Sequence, residues 1–126
     1  MIRLGVGLAL AIAAFPALAD TAPFQGDWTF GNPAACVLGR DDPNFAFRIE
    51  GDTLIGLEST CDLTNPTAIR DMNATLFDAQ CVGEGEEWTY RLLLMIDIDG
   101  NLATIHHGSS LVYSRCTNSA PAGALK

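Results

Sequence analysis

Along residues 88–98, Trp88, Tyr90, Leu92, Leu94, Ile96 and Ile98 fall on every second position, with Thr89, Arg91 and Asp97 between them. A two-residue period is the signature of a β-strand with one buried face, and it departs from helical spacing over the whole run. Leu93 and Met95 are apolar on the second face, so part of this strand is expected to be covered on both sides. Asp99-Gly100 then turns the chain into a strand over 102–107, and Gly108-Ser109-Ser110 turns it into another over 111–116. Three consecutive strands make a meander.

The remaining strands follow the same logic. Phe45, Phe47 and Ile49 alternate with Ala46, Arg48 and Glu50, and Gly51-Asp52 offers a two-residue turn into a strand over 53–58. Further strands are read over 26–30, 60–64 and 72–82, the last ending at Gly83-Glu84-Gly85. The expected fold is therefore all-β, a small antiparallel up-and-down barrel of about eight strands, with a sandwich as the alternative. Residues 31–44 are rich in turn formers, and Pro66 is expected to break any strand over 65–71, where one helical turn fits.

Residues 1–19 have the form of an export signal. Arg3 supplies the positive start, 4–15 an apolar run, and Ala17-Leu18-Ala19 a small-x-small cleavage site before Asp20. The mature chain is then a single barrel domain over 20–116 with a disordered tail over 117–126, periplasmic or secreted. The apolar run is too short to span a bilayer and no second one follows, so no membrane anchor is expected. Cys36, Cys61, Cys81 and Cys116 all fall in the mature part, an even number with no C-x-x-C pair, which favours two disulfides over zinc or a redox cycle. Of three connectivities, Cys61–Cys81 with Cys36–Cys116 is preferred: one bond joins neighbouring strands, the other ties the opening strand to the closing one. The full chain carries a net charge of −8, and loss of Arg3 makes the mature part more negative still. Such a balance repels nucleic acid and anionic lipid; it serves solubility and permits steering toward a basic partner.

Few residues offer chemistry. Neighbours on a strand point to opposite faces, so His106-His107 is expected to send one ring inward and one to water and not to chelate an ion together; no metal site and no cofactor is expected. Asp97-Ile98-Asp99-Gly100-Asn101 opens like a calcium loop, but Gly108 stands where the bidentate glutamate belongs, and a hairpin turn explains these residues better. Ser109 and Ser110 near His107 lack the strand-turn-helix elbow of a reactive serine, so no catalytic residue is assigned and the chain is read as no enzyme. Glu84, Glu86 and Glu87 crowd one turn, an exposed acidic cluster. Glu58 and Arg115 would each need a partner if they pointed inward, and a place on the rim is preferred for both.

Gly26-Asp27-Trp28 at the start of the first strand resembles the G-x-W signature of calycin-type barrels, the lipocalins and the small periplasmic metalloprotease inhibitors. The resemblance implies that Trp28 closes one barrel end and that Arg115 covers it through a cation–π contact. In the inhibitors a cysteine follows the tryptophan, as Cys36 follows Trp28 here; this chain differs in two further cysteines and in a short leader, 20–25, where the inhibitors use an N-terminal segment to reach the protease zinc. Bacterial lysozyme inhibitors are also small exported barrels. The resulting expectation is an exported, non-catalytic protein that binds another protein, a basic one by charge, through the end carrying Gly83 to Glu87 and Gly108 to Ser110, and that inhibits a protease or lysozyme. The alternatives are a lipocalin-type small-molecule carrier with its ligand among Phe45, Phe47, Tyr90 and Leu92, and a small hydrolase.

Overall fold

A computed structural model describes residues 5–10, 20–38, 42 and 45–117. The expectations for the rest of 1–19 and for the tail beyond Thr117 lie outside the described residues. Residues 5–10 have no regular structure, and Val6, Leu8 and Leu10 are exposed.

Eight antiparallel strands close into an up-and-down barrel in sequence order: β1 (Gly26–Thr29), β2 (Phe45–Glu50), β3 (Thr53–Ile55), β4 (Thr60–Ala68), β5 (Ala74–Gly83), β6 (Glu86–Ile96), β7 (Leu102–His106) and β8 (Ser109–Arg115), with β8 pairing back to β1. A short helix, α1 (Ala35–Leu38), lies between β1 and β2. The sandwich alternative is set aside by this closure. The disulfides are Cys36–Cys116 and Cys61–Cys81, the preferred pairing. Cys61 and Cys81 face each other directly across β4 and β5, whereas Cys36 ties α1 to the residue that follows β8.

Cross-strand registers put the apolar positions on one inner face. Trp28 opposes Phe47, Ile49 opposes Leu54, Leu63 opposes Ala79, Phe77 opposes Leu92 and Ile96 opposes Leu102. Phe24, Trp28, Ile49, Phe77, Leu94 and Leu102 are all but inaccessible and share one cluster with both Cys61 and Cys81. Each fully buried side chain of this size contributes roughly 1.5–3 kcal/mol relative to exposure. On the outer face the buried Asp27 carboxylate takes a two-point contact from Arg48 directly across β1–β2, with Nη2 2.8 Å from Oδ2.

Several elements depart from expectation for identifiable reasons. Pro66 does not break β4: Asn65 takes a positive φ of 52°, the register shifts between Thr64 and Thr67, and the proline sits inside that bulge, where no ladder bond is asked of it. β3 stops at Ile55, because the Gly56 N–H bonds the Ser59 carbonyl at 2.8 Å and closes a loop that carries Glu58, exposed, out of the sheet. The β7–β8 turn is His107-Gly108, not Gly108 to Ser110. Both residues have positive φ (48° and 74°), as Glu84-Gly85 do in the β5–β6 turn (49° and 78°), the type I′ pattern that matches strand twist. Ser109 and Ser110 are therefore strand residues of β8. Ile98 falls in the β6–β7 turn, fully exposed, while the Asp97 carboxylate accepts the N–H groups of Asp99 and Asn101; these acids shape a turn.

Phe45 is the other departure. A bulge between Trp28 and Thr29 slips the β1–β2 register, so Phe45 pairs with Thr29 and leaves the inner face. It forms a second small core with Ala35 and Cys116, beneath α1.

Candidate functional site

The two barrel ends differ in how they are finished. At the end where the chain enters β1, residues 20–25 fold back as a plug. Ala22–Phe24 makes one turn of 3-10 helix, Phe24 is buried edge-on against Phe77 with ring centroids 6.3 Å apart, and the Trp28 indole N–H donates to the Phe24 carbonyl at 2.9 Å. The Gln25 side chain stitches the plug to the β2–β3 turn, donating to the Gly51 carbonyl and accepting the Gly51 N–H, each at 2.9 Å. Arg115 lies over the Trp28 ring, its guanidinium carbon 4.2 Å from the centroid, and donates to the carbonyls of Gln25 and Pro23. Burial pulls the Arg115 pKa below its ordinary value. Gly26 adopts φ 120°, and a Cβ there would meet Arg115 Nη1 at 3.0 Å, so the glycine serves both the backbone and the guanidinium above it. The leader 20–25 is thus part of the fold and not a free arm.

At the other end the strands finish unevenly. β6 runs eleven residues and β7 five, and their pairing begins only at Leu93 opposite Ile105. The β5–β6 hairpin therefore stands above β7, supported by β4 and by the β3–β4 loop, which lies so close that a Cβ on Gly83 would fall 2.5 Å from the Glu58 carbonyl. Trp88 shares the inner-facing register of Tyr90 and Leu92, opposite Cys81, but sits above the closed part of the barrel and is 40 % exposed. Glu84, Glu86 and Glu87 are exposed around it. Against the same hairpin, Asp62, Gln80, Cys81, Val82, Glu87, Trp88 and Thr89 line an open cleft of about 450 Å³. A smaller cleft of about 180 Å³ lies between the 31–33 loop, Cys36 and Arg115.

Below Trp88, His106 is half-buried and His107 exposed, as expected, but the two rings do not part to opposite faces. His107 leaves the strand with positive φ, so strand alternation no longer governs it, and both rings gather on Tyr90: His106 at 5.3 Å, His107 at 5.6 Å, and 5.6 Å from each other. His106 Nδ1 is buried without a partner among the described residues. Burial raises the Tyr90 pKa, with a further push from Tyr113, whose own pKa burial also raises. Among the described residues no three His, Cys, Asp or Glu side chains converge as metal ligands.

Of the residues singled out in the sequence, Trp28 and Arg115 come together with Gly26 at the plugged end. Glu84, Glu86 and Glu87 share the projecting hairpin. Ser109 and Ser110 are exposed at the start of β8, paired with His106 and Ile105 respectively. Of the four carrier residues, Phe47 and Leu92 share the inner cluster with Tyr90 packed against it, and Phe47 also meets Tyr113 at 4.8 Å, whereas Phe45 lies outside the barrel. Alternation alone does not show the exposure of Trp88; the unequal lengths of β6 and β7 signal the overhang. No protein family, curated protein or solved structure matches the chain.

Proposed function

We propose that this chain is an exported, non-catalytic binding protein that docks a basic protein, such as a lysozyme or a protease, onto the open end of its barrel and inhibits it. The observation that carries the reading is Trp88, a large apolar side chain 40 % exposed on a projecting hairpin whose turn bears Glu84, Glu86 and Glu87. Tryptophan is the side chain most enriched at the energetic centre of protein interfaces, and a surrounding rim of like charge speeds encounter with an opposite one. The Cys61–Cys81 bond, whose Cys81 stands directly opposite Trp88, ties the hairpin to β4, a restraint that lowers the ordering cost of docking. Export is supported by the signal pattern of residues 1–19 and by two disulfides suited to an oxidising compartment.

The test is capture from an envelope extract on immobilised protein, with the recovered fraction assayed for lysozyme and protease activity. The expected result is a basic protein held at low salt, released as salt rises, inhibited while bound, and lost with Trp88→Ala. Recovery of nothing at low salt, or capture indifferent to Trp88→Ala, overturns the proposal.

A further inference from the structure

We infer that the free edge of β6 between Glu86 and Arg91 is a strand-addition site, taking an extended basic segment of the partner alongside β6. This deepens the docking reading above and rests on it.

A two-residue turn makes Gly83 and Glu86 a mutually hydrogen-bonded pair. Alternation along an antiparallel ladder then commits the backbone groups of Trp88 and Tyr90 to β5 and aims the N–H and C=O of Glu87, Thr89 and Arg91 the other way. β7 takes up that side only from Leu93 onward, and among the described residues nothing bonds these three amides. The open stretch is roughly 20 Å long at the usual rise of a strand. Natural sheets rarely leave such an edge bare, since it is a template for another chain.

Charge selects the occupant. Glu86 and Glu87 lie on the edge and Glu84 at its tip, against Arg91 alone, in a chain of net charge −8. Two copies pairing antiparallel about Thr89 would set Glu87 against Arg91, but each brings the same net charge of −8 and repels the other, whereas a lysine- or arginine-bearing incoming strand meets the acids without that repulsion. On the inner face the added strand would lie beside Trp88 and Tyr90, so the segment that fits alternates apolar and basic residues.

The probe is a short synthetic peptide alternating valine and lysine, and the readout is amide hydrogen exchange of the ¹⁵N-labelled protein. Saturating peptide is expected to slow exchange at Glu87, Thr89 and Arg91 by about tenfold or more, and to leave Trp88 and Tyr90, already bonded to β5, unchanged. Thr89→Pro removes a donor that β5 does not use and keeps every acid and Trp88, so it should weaken the peptide about tenfold. A peptide N-methylated at alternate positions should lose as much, and it stands in if Thr89→Pro fails to fold.

Absence of peptide binding, binding without alternate protection, or protection already present in a concentration-dependent dimer each overturns strand addition. If Thr89→Pro still captures the basic protein that the triple Glu84→Gln, Glu86→Gln, Glu87→Gln variant loses, strand addition falls and docking stands. Capture indifferent to both variants sinks the two readings together.

Discussion

The guanidinium of Arg115 lies over the indole of Trp28 at 4.2 Å while donating to two carbonyls of the leader, Gln25 and Pro23, so one side chain holds the plug against the barrel. Arg115→Ala should remove a cation–π contact and two charge-assisted hydrogen bonds together, at a cost of about 1–3 kcal/mol in urea unfolding. In a Trp88→Phe background, where Trp28 alone reports, its emission should shift to the red. Arg115→Lys should restore less than half the loss, because an ammonium cannot stack flat on the ring. A change indistinguishable from wild type would remove the plug from the account of stability.

Gly83→Ala tests how the hairpin is propped. Its Cβ would fall 2.5 Å from the Glu58 carbonyl and 3.1 Å from the Ser59 Cβ, so the β3–β4 loop must move. A destabilisation of about 1–3 kcal/mol is expected by thermal unfolding. Gly85→Asn, in a turn with open space and a φ that asparagine tolerates, should cost under about 1 kcal/mol.

The protein has two tyrosines, and burial raises the pKa of both Tyr90 and Tyr113. The unfolded chain therefore releases its phenolic protons first as pH rises. Stability is fully present below about pH 10, the ordinary phenol value, and falls as pH climbs through the raised folded values. Ultraviolet difference titration should show both phenols ionising above that ordinary value, and Tyr90→Phe with Tyr113→Phe should flatten the alkaline loss of stability. Two phenols titrating normally in the folded protein would contradict the burial seen at both sites.

Thiol labelling of the unreduced protein should find no free cysteine. Replacing the Cys36–Cys116 pair with serines, which opens a loop of 80 residues, should cost about 4.5 kcal/mol, and replacing Cys61–Cys81, a loop of 20, about 3 kcal/mol. The second pair should matter more to capture than to folding, since it braces the hairpin that carries Trp88. Equal loss of capture in both variants would deny it that special part.

Period-two patterning makes most of this fold legible in the sequence. Leu92 and Leu94 are buried where alternation places them, the meander stands, the even cysteine count gives two disulfides, and strand adjacency picks their pairing, although Cys36 sits in α1 and not in the opening strand. What escaped depended on backbone irregularity, to which alternation is blind. One extra residue at the β1–β2 bulge moved Phe45 out of the barrel, a positive φ at Asn65 let Pro66 stay in a strand, and a positive φ at His107 turned its ring onto Tyr90. The candidate site escaped for a different reason. Trp88 carries the pattern of a core residue, and only the length of its strand relative to the next decides that it reaches solvent.

Because the Cys116 N–H donates to the Asp27 carbonyl at 2.8 Å, the chain leaves the barrel beside the place where it came in, at the plugged end. Anchored to a bead or a sensor chip through a linker at Asp20 or Thr117, the molecule would stand upright with its tryptophan tip turned to the bulk.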